Sequence, residues 1–247
     1  MKSCIFAALV LCISVSPVAA QPGPAPSQPA SEVVPGTSTI TPPEHPITRE
    51  QLQKWMELTM QLDANRTFLQ ASLDQTRKTL PAWIPDPVWA DVKANVAAID
   101  IVGVVLPVYQ RYFSQQDGEG MQLMYEGPTG QQYAKLALKS RLDAMNQGLR
   151  GSAADARAMQ ADEAANLDAL LRKRMTELTP DELARYHSFD DHANRSLGGD
   201  IWRQLDDQQD VLIRTKVNQV FQATMKAHNA ELVAAQQAYL AKHPAKQ

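Results

Sequence analysis

Apolar residues recur along this chain at helical spacing from Ile47 onward, and nowhere do they alternate as a half-buried strand would. Thr48-Arg49-Glu50-Gln51 reads as a capping box with Ile47 and Leu52 as its hydrophobic staple, and predicts a helix running to about Thr79. Leu80-Pro81-Ala82-Trp83-Ile84-Pro85 breaks that helix. Asp86-Pro87 starts the next one, a cap followed by proline at the first helical position. Trp89, Val92, Val96, Ile99 and Leu106 follow on one stripe. From Ile101 to Val108 the pattern is apolar all round, which places this segment through the middle of a core until Pro107 kinks or ends it.

Two further stripes follow, Leu138, Leu142, Met145 and Leu149, then Ala164, Leu167, Leu171, Met175 and Leu178, with the break between them at Gly148 and Gly151. Thr179-Pro180-Asp181-Glu182 is a second capping box. Gly198-Gly199 separates its short helix from a last one, Asp200 to about Lys242, where Leu205, Leu212, Phe221, Met225, Leu232 and Tyr239 lie near one face. The expectation is an all-α fold: an irregular helical bundle of about five to seven helices without a β-sheet, in one domain over residues 47–247.

The chain ahead of that domain has a different texture. Met1-Lys2, the apolar run Ile5–Val15 and the small residues of Pro17-Val18-Ala19-Ala20 read as a signal peptide over residues 1–20. Cys4 and Cys12 both fall inside it, so the mature chain holds no thiol, and disulfides, cysteine zinc sites and a cysteine nucleophile drop out together. Lipidation at Cys12 fits poorly, because bulky Leu11 precedes it where a small residue belongs. Prolines at 22, 24, 26, 29, 35, 42, 43 and 46 make residues 21–46 an extended, disordered tether. Loss of Lys2 takes the net charge from -3 to -4, which leaves no electrostatic footprint for nucleic acid or an anionic membrane. The expected location is outside the cytoplasm, periplasmic or extracellular, with no transmembrane segment after cleavage.

Residues 104–133 carry the most distinctive order of unlike residues: Pro107 and Tyr109, then Phe113-Ser114, then Tyr125, Pro128 and Gly130. This stretch resembles the core of the exported bacterial family known as domain of unknown function 2059, closely over residues 104–133 and loosely over about 95–155. The family pattern is an apolar-Pro-x-Tyr segment, Phe-Ser/Thr-x-x-Glu opening a short helix, and a Ser/Thr-Pro-x-Gly turn. Asp117 stands where glutamate is usual, Gly118 and Gly120 fall inside the short helix, Met124 replaces the first aromatic of the Phe-Tyr that ends that helix in the family, and Gly127 replaces the hydroxyl before proline. The resemblance implies an all-helical exported protein and no particular activity. Read physically, Ser114 and Asp117 form a shortened capping box, and Tyr125 is an aromatic plug against a Gly127-Pro128 turn. The competing reading makes Tyr109, Tyr125, Pro128 and Gly130 a ligand site.

Candidate chemistry is sparse. Tyr186-His187-Ser188-Phe189-Asp190-Asp191-His192 groups imidazoles with carboxylates and could serve a metal-dependent hydrolase, yet His187 and His192 do not share a helix face. No Gly-x-Ser-x-Gly, His-Glu-x-x-His or Gly-x-x-x-x-Gly-Lys pattern occurs. His228 reads as a buried, satisfied histidine, and Asp206, Asp207 and Asp210 as a hydrated helix face. Asn65-Arg66-Thr67 and Asn194-Arg195-Ser196 match the glycosylation pattern but lie in or beside helix. The sequence therefore points to a non-catalytic binding or interaction module, without cofactor or metal, whose partner is an unknown protein or small ligand of the cell envelope.

Overall fold

The computed structural model describes residues 41–147, 153–198 and 201–243; the expected signal peptide, the expected tether up to residue 40 and the expected break at Gly148 and Gly151 lie outside the described residues. The Thr48 box closes as its sequence demands. Gln51 N–H donates to Thr48 Oγ1 at 3.2 Å and Thr48 N–H donates to Gln51 Oε1 at 3.1 Å, opening α1 (Arg49–Leu58). The helix expected to continue to Thr79 instead stops here. Thr59 donates its hydroxyl to the Trp55 carbonyl at 2.9 Å, and Met60 takes φ 58°, the left-handed region. That conformation costs a residue with a Cβ about 1–2 kcal/mol, so the turn is held by its surroundings. α2 (Gln61–Thr79) begins immediately after it.

A second correction concerns the long apolar helix. α3 (Asp86–Ala97) ends, and α4 (Ile101–Tyr112) restarts with Asp100 as its cap, accepting from Gly103 N–H at 3.1 Å. Pro107 lies inside α4, which runs on through it to Tyr112 rather than ending there. By length and composition the run Asp86–Tyr112 could cross a bilayer, but Val88, Val92, Val96, Ile101, Val105 and Tyr109 are all core residues.

α5 (Gln115–Leu123), α6 (Gly127–Gln147), α7 (Ala153–Glu177) and α8 (Pro180–Asp191) follow, and a π turn (His192–Ser196) closes α8. The last long helix is two: α9 (Ile201–Ala227) and α10 (Asn229–Lys242), broken at His228. The described residues thus hold more and shorter helices than the five to seven expected, and no strand. All-α is the correct class. The seam contains one surprise: Pro46 and Ser114 form an isolated antiparallel bridge. His45 C=O accepts from Gln115 N–H, and Ile47 N–H donates to Phe113 C=O, each at 2.8 Å. His45 and Pro46, assigned to the tether by their neighbours' composition, belong to the fold.

α9 packs against α3 and α4, α1 against α4 and α5, and α5 against α8. Where they meet, Phe113 touches Tyr109, Phe189, His192 and Trp202, with ring centroids 6.0, 6.1, 6.4 and 5.7 Å away. Trp55 adds contacts to Tyr109 and Trp202. Gly120 permits the α5–α8 approach, since a Cβ there would lie 2.5 Å from Phe189 Cβ and 3.1 Å from the Arg185 carbonyl. The two interior glycines of α5, poor helix formers by propensity, are both buried against neighbours. α10 closes a smaller cluster through Leu232 on Ile84 and Val88.

Candidate functional site

Tyr125, Pro128 and Gly130 are brought together at the turn between α5 and α6. Gly127 sits at φ 73°, a conformation glycine adopts without steric cost, and Pro128 enters the first turn of α6 on the surface. A Cβ on Gly130 would fall 2.5 Å from Tyr125 C, 2.6 Å from the Met124 carbonyl oxygen and 2.9 Å from Tyr125 Cα. The crowding is against the backbone of the preceding turn. Tyr125 packs on the Leu123–Met124–Leu178 cluster beside Tyr186 and faces Tyr133, ring centroids 5.8 Å apart. Burial pushes the Tyr125 phenol far above its ordinary range and the Tyr186 phenol up to about 12.

This turn is tied to α7 by a buried arginine. Arg174 donates through Nε (3.0 Å) and Nη2 (2.8 Å) to the Leu123 carbonyl at the end of α5. Thr129 donates its hydroxyl to Glu177 and holds that carboxyl below the usual range. Gln131 donates to the Tyr125 carbonyl at 2.8 Å and to the Leu58 carbonyl at 3.2 Å. Tyr109 belongs elsewhere: it is in the aromatic core, and its hydroxyl accepts from Gln209 Nε2 at 3.0 Å. Tyr109, Tyr125, Pro128 and Gly130 therefore do not line one cleft. Three make a turn, and the fourth is core.

The His187–His192 segment also comes apart. His187 and Ser188 are exposed, Asp190 accepts from Asn194 at 2.6 Å, and Asp191 pairs with Arg195 at 3.3 Å. His192 turns the other way, with Nδ1 3.0 Å from Asp117 Oδ1. The buried Asp117 carboxylate also accepts from Ser114 N–H at 2.8 Å and Ser114 Oγ at 2.7 Å. The order is serine to aspartate to histidine, so the hydroxyl is held by the carboxylate and not by the imidazole, unlike a serine–histidine–aspartate triad. Among the described residues no three His, Cys, Asp or Glu side chains are grouped to hold a metal ion. His228 is satisfied but less buried than its stripe suggests, with Nε2 2.9 Å from Asp91 and Nδ1 3.1 Å from Glu231. Asp210 pairs with Arg214 along α9 at 2.8 Å.

Two adjoining cavities at the N-terminal end of α4 received no signal from the motifs. One, of about 350 Å³, is walled by α1, the Met60 turn, α2 and the α3–α4 elbow, with Arg49, Asp63, Arg66 and Asp100 on its rim. The other, of about 360 Å³, is lined by Leu69, Val96, Ala97 and Ile101, and Arg66 supplies its charge. Arg66 and Ile101 are common to both. Arg49 grips Asp100 through two bonds of 2.8 Å and holds its carboxyl below the ordinary range. Asp63 lies 3.8 Å from Arg66, a long and weak contact. Residues 51 positions apart close this rim, which is why periodicity alone could not mark it. No protein-family model, no curated protein and no solved structure matches the chain.

Proposed function

We propose that the protein is an exported, non-catalytic helical module that binds a partner or small ligand of the cell envelope, and that it does so in the groove formed by the two cavities around Arg66. One observation carries the reading: a polar cavity shares Arg66 and Ile101 with an apolar one of similar size, each within the range of small-ligand sites. An apolar floor with one exposed guanidinium beside it is recognition chemistry rather than reaction chemistry. The commitment of Asp117, His192 and Ser114 to one another supports the same view. The resemblance of residues 104–133 to an exported family, and the signal peptide, support the location.

Capture from envelope extract tests it, using the chain from Gln21 as bait beside two variants. Ala97→Trp fills the apolar cavity from an exposed position, so it leaves the core intact. Arg66→Glu reverses the charge shared by both cavities. A species bound by the native chain and lost with both variants supports the groove. Equal capture by all three removes it.

A further inference from the structure

The charged groups around the polar cavity are not equally engaged. Arg49 and Asp100 are locked together by two bonds of 2.8 Å. The Glu57 carboxylate already accepts from Gln53 Nε2 at 2.8 Å. Asp63 and Arg66 differ from both. Asp63 Oδ1 and Arg66 Nη1 stand 3.8 Å apart, beyond hydrogen-bond length, and among the described residues each is the other's one charged partner. The couple therefore keeps a carboxylate and a guanidinium fork side by side, both on the cavity wall and both with bonding capacity to spare. Past Arg66, the wall is Leu69, Val96, Ala97 and Ile101.

On the footing that this groove is the binding site, we propose that its occupant is a free α-amino acid with an aliphatic side chain. Charge selects a zwitterion. Glu57, Asp63 and Asp100 face Arg49 and Arg66 across the polar cavity, so a ligand bringing only negative charge meets net repulsion there. A ligand bringing only positive charge leaves the Arg66 fork unanswered where the two cavities meet. A ligand with both charges close together answers Asp63 and Arg66 at once.

Spacing selects the α-amino acid. Its N–Cα and Cα–C bonds and the angle between them hold ammonium nitrogen and carboxylate carbon about 2.5 Å apart. Laid in reverse order beside Asp63 and Arg66, the ammonium meets the aspartate and the carboxylate meets the guanidinium fork. The remaining large substituent on Cα is left for the apolar cavity. From Arg66 to Leu69 along α2 is a rise of about 4.5 Å, the reach of a branched aliphatic side chain. Each methyl or methylene taken from water into that cavity tightens binding by about fourfold.

Titration calorimetry of the full chain from Gln21 with leucine tests this. Two fragments accompany it: 4-methylpentanoate, which is leucine without its ammonium, and 3-methylbutylamine, which is leucine without its carboxylate. Leucine is expected to bind at least about tenfold more tightly than either fragment and at least about tenfold more tightly than alanine. Arg66→Gln removes the preference for leucine over the amine, and Asp63→Asn removes the preference over the acid. Both positions are exposed, and a folding defect cannot produce this exchange of preferences. Fragments that bind as tightly as leucine, or preferences that neither substitution alters, overturn the amino acid as occupant. Absence of leucine binding overturns it too, and capture from envelope extract by Ala97→Trp then separates the two claims. Loss of the captured species leaves the groove as the site of another ligand; its retention removes the groove as well.

Discussion

Alanine in place of Gly130 sets two physical rules against each other, and the structure decides which wins. Gly130 is helical, three residues past the start of α6, and helix propensity alone predicts that alanine stabilises it by about 1 kcal/mol. The added Cβ, however, meets three backbone atoms of Met124 and Tyr125 at 2.5–2.9 Å. Backbone cannot rotate out of the way as a side chain can. The turn must move, and with it the Gln131 bond to Tyr125 and the seat of the Tyr125 ring. Overpacking of this kind costs about 1–3 kcal/mol; contact with rigid backbone puts it at the upper end, about 3 kcal/mol, and subtracting the propensity gain of about 1 leaves a net loss of about 2 kcal/mol. For a domain of this size that lowers the melting temperature by roughly 4–8 °C. Urea denaturation followed by circular dichroism reads it directly, with an unchanged slope confirming that the native state remains compact. A midpoint equal to or above that of the native chain would refute the close approach.

Tyr125→Ala is expected to cost about 3 kcal/mol, because it empties the plug of the α5–α6 turn; a near-native midpoint in chemical denaturation would return Tyr125 to the ligand reading. Arg174→Ala leaves the Leu123 carbonyl without its charged donor and costs about 2 kcal/mol by the same measurement. A chain starting at Ile47 melts below one starting at Thr41, because it lacks the His45 carbonyl and the Pro46 bridge to Ser114; equal melting would restore both residues to the tether. Burial raises the Tyr186 phenol to about 12 from the ordinary 10.0. The folded state therefore holds that proton where the unfolded chain has lost it, so stability is complete below pH 10 and is lost as pH rises from 10 towards 12. Tyr186→Phe should flatten that decline, and an unchanged alkaline profile would contradict the assignment.

Local chemistry was legible in the sequence. All three capping boxes, at Thr48, Ser114 and Thr179, close with both of their reciprocal bonds, because each needs only four consecutive residues. The class of fold followed from periodicity. The breaks were harder, since Met60, Asp100 and His228 interrupt apolar stripes without a glycine or proline to announce them. Asp100 is held by Arg49, 51 positions away, and His228 by Asp91 of α3, contacts that periodicity does not reveal. Pro107 misled in the other direction. It kinks or ends a helix by rule, yet α4 runs on past it to Tyr112 with Pro107 on the exposed side. The same logic governs the site: residues 104–133 cluster in sequence but divide between a turn and the core, while the Arg66 groove is assembled from four elements that no short motif spans.

The most direct test of the account is a side-by-side capture with the groove filled and with the Asp117–His192 contact broken. If binding resides in the groove and the polar cluster is structural, Ala97→Trp loses the species that the native chain recovers from envelope extract. His192→Asn keeps it, at a lower melting temperature. Retention by Ala97→Trp together with loss by a folded His192→Asn would contradict the account and move the functional site to the Asp117–His192 cluster.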